Sequence, residues 1–190
     1  MQHFVTLLLL ITCNVFGQHH KEAITNLFVF NKGIYTSFTE LLTNSPKYLN
    51  CQFEIVRPLA GYPSYYYYDS LNKQHVFEDS LFAIVQEGTL FLYFKEVFYK
   101  RSLAGAITIL MRTNWHSAFQ RHYDIFEDNI CILDFETGKV GLLKFKLIDL
   151  IIQRDPLLHK DFLSMENKGD KNNLLRYIIK YNERNPFYLK

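Results

Sequence analysis

Two histidines and one carboxylate have the residue types of a metal centre. His116, His122 and Asp124 lie in the most polar stretch of the chain, and two histidines with one carboxylate form the ligand set of many catalytic metal sites. A metal held there would support a hydrolase, because a bound metal ion activates water at neutral pH. The spacing lacks the H-E-x-x-H pattern that makes such a prediction specific. A solvated polar loop over residues 114–128 is therefore the alternative interpretation.

A run of tyrosines at residues 65–68 has the residue type of a binding surface. Successive side chains of a β-strand point to opposite faces, so two of these rings should face the core and two should face outward. We take Tyr66 and Tyr68 as the candidate binding residues, which could stack on a sugar or on a protein partner. An ordinary half-buried strand with high β-propensity is the alternative.

The motifs of the common catalytic classes are missing from the sequence. There is no G-x-S-x-G nucleophile motif, and the glycines never form a phosphate-binding G-x-G-x-x-G or P-loop pattern. Asp134 and Glu136 place two carboxylates beside one turn, but acidic residues are also the ordinary composition of a hairpin. The sequence therefore predicts no catalytic residue and no cofactor.

Basic residues near the end of the chain suggest a second kind of surface. Lys171, Arg176, Lys180 and Arg184 follow one another along the last predicted helix. They could meet an anionic surface such as a lipid headgroup layer, or they could form the solvated outer face of that helix.

The middle third of the chain predicts the elements that must position these residues. Short β-branched or aromatic runs alternate with turn residues, which favours an antiparallel β-meander or a small barrel-like sheet. The runs are 64–68, 74–77, 80–85, 89–94, 97–101, 106–111, 130–135 and 139–143.

Along the chain, helices are predicted both before and after the strands of this sheet. Ser37 and Glu40 have the spacing of a capping box, in which each side chain bonds the backbone of the other residue, ahead of a short helix. The last 45 residues show helical spacing of apolar side chains, with starts at 147, at the Asp155 cap and at the Asp170 cap. The fold class is therefore α+β, with a C-terminal group of three short helices.

Composition excludes several classes of protein. The chain has 190 residues, a formal net charge of +2, 48% hydrophobic residues and 16% aromatic residues. The charge balance gives no electrostatic reason to expect nucleic acid as a partner. The apolar content excludes a disordered chain.

The N-terminus has the pattern of a secretory signal peptide. Residues 1–17 contain no Lys, Arg, Asp or Glu, and their apolar core is too short to span a bilayer. We expect cleavage before Gln18, which leaves one α+β domain over 18–190 without a transmembrane span. Cys13 ends a lipobox-like sequence, so a lipid-anchored surface protein is an alternative.

Two cysteines remain after such a cleavage. Cys51 and Cys131 could form one disulfide in an oxidising compartment. The alternative is two separate buried thiols that act as small apolar side chains.

Several sequence phrases, taken together, resemble a known group. They are Gly33–Glu40, the Tyr-rich strand, Ile84–Leu92, Leu133–Val140, Arg154–Leu158 and Tyr181–Pro186. Their combination is similar to a group of small exported uncharacterised proteins, a domain of unknown function, from Bacteroidota bacteria. The resemblance implies export and a single domain, and it implies no activity, cofactor or site residue. The signal-peptide pattern, the tyrosine run and the lack of an assembled catalytic motif lead us to expect a periplasmic or secreted, non-enzymatic binding or structural protein whose partner is a protein or glycan of the cell envelope.

Overall fold

The computed structural model describes residues 22–56, 63–113 and 129–189. Within these ranges the chain is α+β, with an antiparallel sheet in its middle and short helices at its C-terminal end, as the sequence predicts. The strands are β1 (Gly33–Tyr35), β2 (Tyr48–Leu49), β3 (Gln52–Val56), β4 (Ser64–Tyr68), β5 (Gln74–Val76), β6 (Ala83–Gln86), β7 (Thr89–Phe94), β8 (Val97–Leu103), β9 (Ile107–Thr113), β10 (Ile130–Asp134) and β11 (Val140–Leu142). The helices are α1 (Phe38–Leu42), α2 (Phe145–Ile152), α3 (Pro156–Leu163) and α4 (Lys171–Arg184).

The strands of the described residues form two separate antiparallel sheets. The large sheet has eight strands in the order β11-β10-β9-β8-β7-β6-β1-β2, and the small sheet has three in the order β3-β4-β5. The sequence did not indicate this division, because the tyrosine strand β4 and its neighbour β5 look like members of one continuous meander. Their partner β3 does carry a sequence signal, because polar and apolar residues alternate from Gln52 to Ile55, and the structure buries the two apolar ones.

The large sheet buries apolar side chains on both faces. One face, which we call the inner face, carries Tyr35, Leu92 and Leu133 and is covered by Phe28 and Phe30 of the N-terminal segment. The opposite outer face is covered in two halves. The small sheet packs over β1, β6 and β8, and the three C-terminal helices pack over β9 and β10.

Tight turns set the register of the central hairpins. Glu87 and Gly88 join β6 to β7 with positive φ values of 51° and 70°, which is the geometry of a type I′ turn. Lys95 and Glu96 join β7 to β8 with φ values of 51° and 62°. The second turn therefore uses two residues that have a Cβ where glycine or asparagine would fit with less strain.

Each predicted helix cap is present, with one difference in detail. Ser37, Asp155 and Asp170 each accept a hydrogen bond from the backbone N–H three residues ahead. The difference concerns Glu40, whose carboxylate accepts from the backbone N–H and the hydroxyl of Thr36 at 2.7 Å instead of returning to Ser37. The hydroxyl of Thr36 offers the carboxylate a second donor, so the box closes one residue earlier.

The predicted strand at 80–85 begins three residues late, at Ala83. The connection before it is held by side chains. The carboxylate of Asp79 accepts from the hydroxyl of Tyr48 and pairs with Lys47 at 2.9 Å, and Ser80 donates to the carbonyl of Thr36.

No helix within the described ranges is both long and apolar enough to cross a membrane.

Candidate functional site

The four tyrosines of β4 divide between the two faces of the small sheet. Tyr65 and Tyr67 pack on the apolar cluster beneath that sheet. Tyr66 and Tyr68 occupy the alternate positions and therefore lie on the opposite, outward face. The alternation predicted from the sequence is present, and it brings the two candidate binding residues onto one surface.

Strand pairing surrounds these two rings with specific neighbours. Tyr66 lies between Glu54 of β3 and Val76 of β5, and Tyr68 lies between Gln52 and Gln74. We call these six residues the tyrosine surface. Val76 is 62% exposed, so the surface offers apolar as well as polar contacts.

Hydrogen bonds fix the Tyr68 end of the tyrosine surface. The hydroxyl of Tyr68 donates to the carboxylate of Glu54 at 2.7 Å and accepts from the amide of Gln74 at 3.0 Å. The bond to Glu54 raises the pKa of Tyr68, so the hydroxyl stays protonated at neutral pH. The polar groups are thereby held in fixed positions beside the rings.

The rings beneath the tyrosine surface make it rigid. Tyr65 stacks on Phe53, and its hydroxyl lies 3.1 Å from that of Tyr93 on the large sheet. Tyr67 stacks on His75 with ring centroids 4.9 Å apart, and His75 pairs with Asp69 at 2.9 Å. A surface supported in this way loses little conformational freedom when a ligand binds.

The candidate metal ligands His116, His122 and Asp124 lie outside the described residues. Within the described ranges, no group of three or more His, Cys, Asp or Glu side chains is arranged to hold a metal ion.

The two cysteines are separate buried thiols in the structure. Cys51 belongs to the cluster beneath the small sheet, and Cys131 belongs to the cluster on the inner face of the large sheet. Burial raises the pKa of both thiols, that of Cys131 to about 12. Of the two alternatives left by the sequence, the structure has the unpaired thiols, which are poor nucleophiles at neutral pH.

Asp134 and Glu136 meet a residue that sequence reasoning did not connect with them. Arg154, in the α2–α3 connection, bonds both carboxylate oxygens of Asp134 at 3.0 and 2.5 Å and reaches Glu136 at 2.7 Å. Asp134 is 1% exposed and also accepts from the hydroxyl of Thr137. One guanidinium thus holds both carboxylates, that of the buried Asp134 and that of the exposed Glu136.

A second arginine–carboxylate pair lies next to the first. Arg184, the last residue of α4, bonds both oxygens of Asp155 at 2.5 and 2.9 Å. Asp155 is also the N-cap of α3 and accepts from the amide of Asn185 at 3.3 Å. We call Asp134, Glu136, Arg154, Asp155 and Arg184 the arginine–carboxylate cluster. It borders an open cleft of about 470 Å³.

The arginine–carboxylate cluster lowers the pKa of its two buried acids. Burial acts to raise the pKa of Asp134, but the hydrogen bonds and the charge of Arg154 outweigh it, so the pKa lies below its ordinary value. The hydrogen bonds from Arg184 depress the pKa of Asp155 further. Both acids are therefore ionised at neutral pH, and the cluster joins the hairpin turn, α3 and α4.

The basic residues of α4 are partly neutralised by their neighbours. Lys180 pairs with Asp161 at 3.1 Å, Arg184 pairs with Asp155, and the guanidinium of Arg176 lies over the ring of Tyr177. Two of the four predicted cations, Lys180 and Arg184, are thus paired with carboxylates, which favours the solvated helix face over a continuous cationic surface.

No protein-family model, curated protein or solved structure matches this chain. The resemblance to exported Bacteroidota proteins therefore stays a prediction, and the functional argument rests on the residues themselves.

Proposed function

We propose that this protein is exported and acts without catalysis, as a binding protein that recognises an uncharged glycan of the cell envelope. The observation that carries the proposal is the tyrosine surface, where two tyrosine rings lie side by side with amide and carboxylate groups on a rigid sheet. The signal-peptide pattern of residues 1–17 supports export.

The chemistry of the tyrosine surface suits a sugar. The C–H face of a pyranose ring is apolar and stacks on an aromatic ring, while its hydroxyls need donors and acceptors at the ring edge. Tyr66 and Tyr68 supply the rings, and Gln52, Glu54 and Gln74 supply polar groups within one strand spacing of them. The hydroxyl of Tyr68 is already oriented by two of these groups.

The charge of the tyrosine surface argues for a neutral ligand. Glu54 is its single charged residue, and no lysine or arginine is among its six members. An acidic polysaccharide would meet a carboxylate without a compensating cation, which is unfavourable at short range. Neutral oligosaccharides avoid this repulsion.

The test measures the binding of purified protein to immobilised neutral oligosaccharides. The probes are linear oligomers of glucose and of N-acetylglucosamine. We expect Tyr66→Ala and Tyr68→Ala each to weaken binding by up to about tenfold, since stacking on one ring contributes roughly 0.5–1.5 kcal/mol beyond the area that it buries. Tyr68→Phe keeps the ring and removes only the hydroxyl, so it should weaken binding less than Tyr68→Ala.

Tyr188→Ala is the control, because Tyr188 is an exposed tyrosine that lies near the C-terminal end of the chain, whereas Tyr66 and Tyr68 are half-buried. It should bind as the unaltered protein does. Absence of binding to every neutral oligosaccharide, or equal binding by Tyr66→Ala and the unaltered protein, would overturn the proposal. Export is checked separately by the mass of the mature protein, which should begin at Gln18.

A further inference from the structure

A second cleft lies at the seam between the two sheets, away from the tyrosine surface. It has a volume of about 410 Å³, which is within the range of small-molecule sites. Its floor is the outer face of the large sheet at Phe91 and Lys100, and Phe53 of β3 forms one wall. Phe53 faces away from the outward side of β3, where Glu54 belongs to the tyrosine surface, so the two sites are on opposite sides of the small sheet.

The seam cleft is lined by one cation and one anion that form no ion pair within the described residues. Lys100 on β8 and Glu87 in the β6–β7 turn both line the cleft and are both exposed. Within the described residues, neither side chain takes part in an ion pair. Lys100 pairs across the sheet with Phe91 and Met111, so its ammonium rises from a row of apolar side chains.

The two charges lie at different ends of the seam cleft. Lys100 is opposite Phe91 in the strand register, whereas Glu87 follows Gln86, which is opposite Thr89. Two residues of antiparallel strand rise about 6.8 Å, so the backbone positions of the charges are separated along the strand by at least that distance. Because the two groups have opposite charges, a single ionic group on a ligand would pair with one of them and leave the other unpaired.

Neutral polar groups complete the lining. The amide oxygen of Gln86 accepts from the backbone N–H of Phe53 at 3.3 Å, which leaves the amide N–H₂ of Gln86 as a donor. The hydroxyls of Thr89 and Thr113 also border the cleft. Amide and hydroxyl groups of this kind satisfy the backbone of a peptide.

We propose that the seam cleft binds a short peptide with free termini. The carboxylate of the ligand pairs with Lys100, its α-ammonium group pairs with Glu87, and an apolar side chain rests on Phe91. Two complementary charges held on a rigid sheet favour a zwitterion over an ion of either sign, because each bond is charge-assisted.

The experiment is an NMR titration of ¹⁵N-labelled protein with the dipeptide alanyl-phenylalanine. We expect shift changes at the amides of Glu87, Phe91 and Lys100. N-acetyl-alanyl-phenylalanine and alanyl-phenylalanine amide each lack one charge and should bind about tenfold more weakly. Free phenylalanine, in which the charges are closer together, tests whether the cleft selects by length and should bind more weakly than the dipeptide.

Variants locate the site and keep the test independent of the tyrosine surface. Lys100→Met and Glu87→Gln should each weaken dipeptide binding by about tenfold, and the exposed but remote Lys139→Met should not change it. Tyr66→Ala should bind the dipeptide normally, so failure of glycan binding does not count against the seam cleft. Equal affinity for the charged and the blocked dipeptides, or shift changes that Lys100→Met leaves intact, would overturn the proposal.

Discussion

Loss of Arg154 should destabilise the protein chiefly through the carboxylate that it leaves behind. Arg154→Met removes two hydrogen bonds to Asp134, at 3.0 and 2.5 Å. The carboxylate of Asp134, which is 1% exposed, then keeps only two of its hydrogen-bond donors, the hydroxyl of Thr137 and the backbone N–H of Glu136. Breaking a buried pair by removing one partner costs about 3–5 kcal/mol. Arg154 is itself 27% exposed, and solvent screens it, so we expect about 3 kcal/mol.

A double-mutant cycle measured by urea unfolding separates the buried charge from lost packing. Asp134→Asn removes the charge, so in the Arg154→Met background it should cost nothing or restore stability, whereas it should cost about 2 kcal/mol in the unaltered protein. A coupling free energy below about 1 kcal/mol would refute the reasoning. Unchanged m-values would show that the free energies refer to the same two states.

The pH dependence of stability tests the same reasoning, because the pKa of Asp134 should be lowered in the unaltered protein and raised in Arg154→Met. In the unaltered protein the pKa of Asp134 is depressed, so its stabilisation is present above the ordinary pKa near 4 and is lost as pH falls through the folded-state value. In Arg154→Met the bonds from Thr137 and Glu136 remain, but burial, the largest influence on this carboxyl, outweighs them and raises the pKa of Asp134. Its destabilisation should then grow as pH rises, so the difference between the proteins should shrink on acidification. A difference that is constant between acid and neutral pH would contradict this account.

Three further predictions concern turns, thiols and a helix contact. Glu96→Gly should raise the free energy of unfolding by about 0.5–1 kcal/mol because it relieves a positive φ, while Gly88→Ala should lower it by a similar amount in the equivalent turn; thermal unfolding measures both. Cys51 and Cys131 should not react with a thiol reagent until denaturant is added, and a reducing agent should leave the melting temperature unchanged; immediate labelling of either thiol in the native protein would contradict their burial. The amide of Asn182 both donates to and accepts from the backbone of β9 at 2.8 Å, so Asn182→Ala should cost about 2 kcal/mol in urea unfolding, and a loss within 0.5 kcal/mol would contradict it.

Local features of the fold are those that the sequence predicts best. The turn at Glu87 and Gly88, the cap at Asp155 and the cap at Asp170 each depend on residues within a few positions of one another. The alternation that places Tyr66 and Tyr68 outward is local in the same sense. Such features are decided by backbone sterics and neighbouring hydrogen bonds, which a short segment contains in full.

Pairings between distant segments were not predictable in the same way. The three residues of β1 pair with β2 on one side and with β6 on the other. So short a strand depends on its hydrogen bonds to both of these distant partners. The division into two sheets likewise depends on the pairing of β3 with β4. The periodicity of β3 indicates that one of its faces is buried, but it does not indicate which strand is its partner. Contacts of this kind are decided by packing over the whole chain.

The arginine–carboxylate cluster joins segments that lie far apart in the sequence. Three of the phrases on which the predicted resemblance rests, at 133–140, 154–158 and 181–186, meet there through Asp134, Arg154, Asp155 and Arg184. Each charged group in these pairs is bonded to its partner through two contacts, which fixes the turn, α3 and α4 against one another. At the tyrosine surface the sequence predicts the two outward rings, whereas the neighbours of those rings and the lining of the seam cleft are set by strand register and become visible only when the sheets are assembled.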